Sequence, residues 1–212
     1  MSRARRMPPA AVALRFVTLI GIFALAACGQ SGLRPAAPLR SSADLHTAHV
    51  ASISTLRAWH LAGRLAVQRG YKGFSADLDW HEAMSAYALR VAAPLNGGTF
   101  ALDGTADGVT LVTPKGERYT AIDAETLMHK HLGWALPIAG TRYWIRGLPD
   151  PAYPVTGERL DEAGRWTEFA QDGWQISVLE YRVAAGLDLP RRLALVHDKL
   201  KVRMVIKSWE PR

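Results

Sequence analysis

The 212-residue chain has a single cysteine, Cys28. One thiol excludes an intramolecular disulfide framework and a cysteine-rich zinc site. Acidic residues are also scarce, 19 against 26 Lys and Arg, for a formal net charge of +7. The apolar run Phe16–Leu25 falls short of the roughly 20 residues an ordinary membrane-spanning helix needs. Catalytic signatures are missing as well. There is no Gly-x-Ser-x-Gly elbow, no Ser/His/Asp set recognisable from spacing, no P-loop and no dinucleotide fingerprint. What is present is 49% apolar and 21% charged residues, ordinary for a globular protein, at a length that favours one domain.

The excess charge is unevenly placed. Residues 1–27 hold Arg3, Arg5, Arg6 and Arg15 and no acid, which leaves about +3 for everything after them. That remainder carries no nucleic-acid footprint. A basic start, a short apolar run and small residues after it predict a secretory signal over 1–27. It closes on Leu25-Ala26-Ala27-Cys28, which resembles the lipobox of bacterial lipoproteins. A thiol is the nucleophile that can take a diacylglycerol as a thioether, so the resemblance makes Cys28 the lipid attachment point. Gly29 rather than Asp follows it, which by the same resemblance sends the protein to the outer membrane, on its periplasmic face. Residues 28–40 read as the acylated Cys28 and a flexible tether, 29–40, with Gly29, Gly32, Pro35 and Pro38 and no apolar period, whose residues span at most about 40 Å.

Residues 41–212 read as one domain. Ser41 with Asp44 three residues on predicts a helix start, and Leu45, His49, Ile53 and Leu56 continue at helical spacing. From Trp59 the period becomes two. Trp59, Leu61, Gly63, Leu65 and Val67 alternate with polar or small residues, then Phe74, Ala76, Leu78 and Trp80 do the same. Tyr87–Val91, Phe100–Leu102 and Val109–Leu111 follow, separated by Gly-rich turns. Asp123 is placed to cap a helix over 124–132 closed by Gly133, and Pro137 to open a second. Residues 149–164 read as a loop. Strands resume at Trp166–Gln171, Trp174–Arg182, Arg191–His197 and Lys201–Trp209. The pattern predicts a mainly β, α+β domain: an antiparallel meander with one apolar face, covered by the helical middle segment.

Candidate chemical groups each have a plain reading. His129 and His131, two apart on a helix, point about 200° apart and cannot chelate one ion. They read as a solvated helix end, and no metal site is expected. Asp77 and Asp79 share a strand face and read as its polar side. The inward apolar excess fits either a filled core or a cavity for an apolar ligand.

Several strings resemble the LolB family, outer-membrane lipoprotein receptors of the Gram-negative lipoprotein sorting pathway. They are Gly63-Arg64-Leu65-Ala66-Val67, Gly73-Phe74-Ser75-Ala76, Trp80, Ala93-Pro94-Leu95, Gly133-Trp134-Ala135-Leu136-Pro137-Ile138, Tyr143-Trp144-Ile145-Arg146-Gly147-Leu148-Pro149, Gln171-Asp172-Gly173-Trp174 and Leu189-Pro190-Arg191-Arg192-Leu193. The resemblance implies an incompletely closed antiparallel β-barrel whose helices lid a hydrophobic cavity, as in the periplasmic carrier LolA. It implies acceptance of acylated lipoproteins from that carrier, binding of their acyl chains and delivery into outer-membrane lipid, by a monomer that is not an enzyme and uses no cofactor. It makes Leu95 the membrane-inserting loop residue, although Asn96 stands where the family usually has Gly. Inward strand parity and the lid positions nominate Leu65, Phe74, Leu78, Trp80, Leu89, Leu127, Trp144, Ile145 and Met204 for the cavity. The alternatives are a structural or assembly lipoprotein with a filled core, and a lipid-modifying hydrolase, for which no nucleophile–base pair is evident.

Overall fold

Alternating burial along β1 (Ala58–Arg69) and β2 (Lys72–Ala83) sets the architecture. Each strand turns one side chain in two toward a common apolar side, so neighbours pair to keep that side continuous. The computed structural model describes residues 41–94 and 97–212. In it β1 and β2 are followed by β3 (Ala86–Ala92), β4 (Thr99–Thr105), β5 (Gly108–Val112) and β6 (Arg118–Ala121). After a helical segment come β7 (Thr156–Leu160), β8 (Trp166–Gln171), β9 (Trp174–Ala184), β10 (Leu187–His197) and β11 (Leu200–Pro211). All form one antiparallel sheet in the order β6-β5-β4-β3-β2-β1-β11-β10-β9-β8-β7. Two meanders are thus joined where β1 pairs β11, and the barrel stays open between its edges β6 and β7.

The chain crosses that opening as helices. α1 (Ser42–Ser54) precedes the sheet and packs on β10. Its Ser41–Asp44 capping box forms as the sequence predicts. α2 (Ala124–Leu132) is capped by Asp123, whose Oδ1 accepts from Thr126 N at 2.7 Å, and ends on Gly133 in the left-handed region. α3 (Ile138–Trp144) starts at Pro137, which offers no side-chain cap. Its cap comes from α2, where Glu125 Oε1 accepts from Ile138 N at 2.8 Å.

Two of the resembling strings have local causes. Gly63 sits at a register shift between β1 and β11, and a Cβ there would lie 2.4 Å from the Val205 carbonyl oxygen. In Gln171-Asp172-Gly173-Trp174, Asp172 and Gly173 take positive φ and turn β8 into β9. Gln171, buried, then ties the segment to the helical layer. Its Oε1 accepts from Trp144 Nε1 and Asp150 N, and its Nε2 donates to the Asp150 and Tyr153 carbonyls. That uses the full donor and acceptor capacity of a buried amide.

Several expectations are corrected. β6 was not anticipated. The segment read as a loop over 149–164 contains β7, whose five residues are all exposed. β10 starts four residues earlier than expected and runs through Pro190, which the sheet accommodates with a register shift.

Candidate functional site

The site grows from the register. Trp80 on β2 opposes Leu89 on β3, Leu89 opposes Leu102 on β4, and Leu102 opposes Leu111 on β5. A second row, Leu78–Val91–Phe100, runs beside it. These rows form the concave wall, extended through Leu65 to Met204 on β11. Facing them, α2 contributes Met128, His131 and Leu132, and the stretch into α3 contributes Trp134, Leu136 and Ile138. α2 packs against β5 and β6, so it stands over this half of the sheet.

Between wall and lid is an apolar cavity of about 290 Å³. The other half of the barrel is filled by Trp144, Ile145, Phe169, Ile176, Leu189 and Leu193, all essentially inaccessible. At the open side Phe74, 41% exposed, lies 5.9 Å from the Trp134 ring, and Ala93 joins them just before the Pro94–Gly98 loop.

Leu65, Phe74, Leu78, Trp80, Leu89 and Met204 therefore line the cavity. Leu127, Trp144 and Ile145 do not. On α2 the cavity-facing stripe is Met128, His131 and Leu132, and Leu127 lies about 100° to one side, buried in the core. Trp144 is held by Gln171 and sits 5.9 Å from Trp174, in the filled half. Ile145 caps α3 there. His131 is a further correction. It is no solvated helix end but lines the cavity, stacked 3.8 Å from Tyr119, with Nε2 buried and unpartnered among the described residues. His129 is exposed. Cys28, the signal and tether segments, and Leu95 with Asn96 lie outside the described residues. The flanking Pro94 and Gly97 are exposed, and Ala93 N donates to the Gly98 carbonyl at 3.0 Å across the loop.

The lid is held unequally. At its α3 end Arg142 pairs with Glu82 and donates to the Met84 carbonyl, and Arg146 donates to the Leu56 carbonyl at 2.8 Å. Burial raises the Glu82 carboxyl above the usual carboxylate range, and Arg142 works against that rise. At the α2 end Arg69 reaches across to the Gly133 carbonyl from an exposed position. These polar groups pin helices. None of these four lines the cavity.

Comparison with known proteins agrees with this geometry. The family model described as outer membrane lipoprotein LolB matches residues 57–209. "Outer-membrane lipoprotein LolB" of Nitrosococcus oceani is 34% identical over 92% of this chain and 96% of that one. The protein of the same name from Pseudomonas putida is 35% identical over 92% and 95%. A crystal structure of a DUF1329 family protein from Desulfovibrio piger shares the fold, with a TM-score of 0.52 at 10% identity over 83% of this chain and 94% of that one. The chain, with its unclosed antiparallel sheet and helix-lidded cavity, belongs to the outer-membrane lipoprotein LolB family.

Proposed function

We propose that this protein is an outer-membrane receptor that takes acylated lipoproteins from a LolA-type periplasmic carrier and passes them into the outer membrane. Family membership supports the role, and the apolar cavity carries the mechanism. A sixteen-carbon acyl chain has about fifteen methylenes, and hiding them from water is worth about 12 kcal/mol. Such a chain does not cross an aqueous space unescorted. Passing it between two apolar cavities avoids the exposure, and a bias of about 1.4 kcal/mol per tenfold sets the direction. No covalent step is involved. A filled-core scaffold would have no need of the space between the two wall rows and α2.

In this reading the mouth by Phe74 and Trp134 admits the chain, and Leu95 guides it into the leaflet. Lipidated Cys28 and the 28–40 tether hold a monomeric 41–212 domain within reach of the membrane. A photo-crosslinking phenylalanine analogue replacing Phe100 in the full chain, in membranes, tests the cavity. It should capture an acylated client and not the same client lacking its lipid-bearing cysteine. Capture of neither form, or of both equally, would refute acyl binding here.

A further inference from the structure

On the solvent face of the sheet, away from the cavity, a compact cluster joins three strands. His60 on β1 and His81 on β2 are direct register partners, their rings stacked 3.9 Å apart and 5° from parallel. Asp79, two residues before His81, shares its strand face. One Asp79 oxygen lies 2.8 Å from His60 Nε2 and the other 3.2 Å from His81 Nε2. Glu210 on β11 is the register partner of His60 on its other side, and its Oε2 lies 3.2 Å from His60 Nδ1. Ligand atoms from His60, Asp79 and His81 all lie within 4.8 Å of one another.

We propose that His60, His81 and Asp79 bind a divalent transition-metal cation of the Zn²⁺ type, with Glu210 orienting His60. Two imidazole nitrogens and a carboxylate suit Zn²⁺, whereas Mg²⁺ and Ca²⁺ take oxygen ligands. The Glu210 contact is the arrangement that metal-ligating histidines show. One ring nitrogen donates its hydrogen to a carboxylate, and the other turns its lone pair to the metal. In that tautomer the His60 Nε2 lone pair faces an Asp79 oxygen at 2.8 Å, a contact relieved either by a shared proton or by a cation seated beside the two atoms. Each lone pair lies in its ring plane, and the stacked rings must tilt toward each other to share an ion at about 2.0–2.1 Å. His81, with 47% of its side chain exposed, has room to do so, and the open side leaves a position for water. The ion would join β1 to β2, and Glu210 would link it across the seam to β11. An imidazolium bridging the two carboxylates is the competing occupant of the same geometry.

Calorimetric titration of Zn²⁺ into the purified full chain in detergent separates the two, with Co²⁺ absorption reporting coordination. One equivalent should bind. His81→Gln and Asp79→Asn should weaken it at least about tenfold, and Glu210→Ala about 10–100-fold. His129→Gln, outside the cluster, should leave it unchanged. No stoichiometric binding, or binding unaltered in correctly folded His81→Gln and Asp79→Asn proteins, would overturn the site. Client capture in the cavity is unaffected by these changes, so the two readings fail separately.

Discussion

His49 sits on the inner face of α1, 8% exposed, with its ring edge-on to Tyr181 at 5.9 Å. Burial lowers its pKa, Arg165 and His46 push the same way, and Asp188 and Asp161 oppose them. Folding therefore disfavours the charged form of this imidazole. The unfolded chain takes up its proton near the ordinary value of about 6.5. The contribution is present above that value and is lost as pH falls through it toward the lowered folded pKa, by at most about 1.4 kcal/mol per pH unit for one proton. Thermal unfolding at neutral pH and at about pH 5.5, the span in which histidine titrates, should show a larger loss for wild type than for His49→Leu. Equal losses would remove His49 from the account. Single residues were the least legible level of the sequence. His60 and His81 lie 21 positions apart and meet only through the β1–β2 register. The parity that nominated Leu65, Leu78 and Met204 could not say that Trp144 and Ile145 fall in the half of the barrel that is filled.

α2 and α3 differ in how they are fastened, and that difference predicts which one opens. α3 is held by half-buried Arg142 on buried Glu82 and by Arg146 on the Leu56 carbonyl. α2 closes on an exposed hydrogen bond from Arg69 to Gly133 at its C-terminal end, where a cation also favours the helix dipole. Arg69→Ala should cost α2 about 1 kcal/mol, or roughly fivefold in local opening. Hydrogen exchange should quicken over Leu127–Leu132 and leave α3 unchanged. A uniform change across both helices would mean that the lid moves as one piece. Elements with strong local chemistry could be read from the sequence. Asp123 and Gly133 bound α2, the Ser41 box starts α1, and Trp166–Gln171 emerged with its ends correct. β6 and β7 could not be read, because they are edge strands with little to bury. β6 half-buries only Tyr119 and Ala121, and β7 makes just three register pairs with shifts between them. β7 buries nothing and so shows no apolar alternation, and the four residues of β6 are too few for theirs to stand out.

The described residues combine an apolar cavity wall, a lid with a firm and a loose end, and the two ends of the β3–β4 connection at the open side. The β3–β4 connection leaves the cavity wall at Ala93, and the exposed Pro94 and Gly97 flank Leu95 and Asn96. The proposed duty of Leu95 is at the membrane, where a leucine gains about 1.5–3 kcal/mol on leaving water. That is enough to bias the mouth toward the leaflet without holding it there. Leu95→Glu should reverse that gain and add the cost of a carboxylate in apolar surroundings. The variant should still fold, and should still take clients from the carrier, because the proposed role confines the loop to delivery. Delivery into liposomes by the full chain should fall by at least about tenfold, the equivalent of 1.4 kcal/mol, with clients accumulating on the receptor. If acceptance falls in parallel with delivery, the loop belongs to the docking step instead. If delivery is unchanged, the membrane-guiding role of Leu95 is wrong.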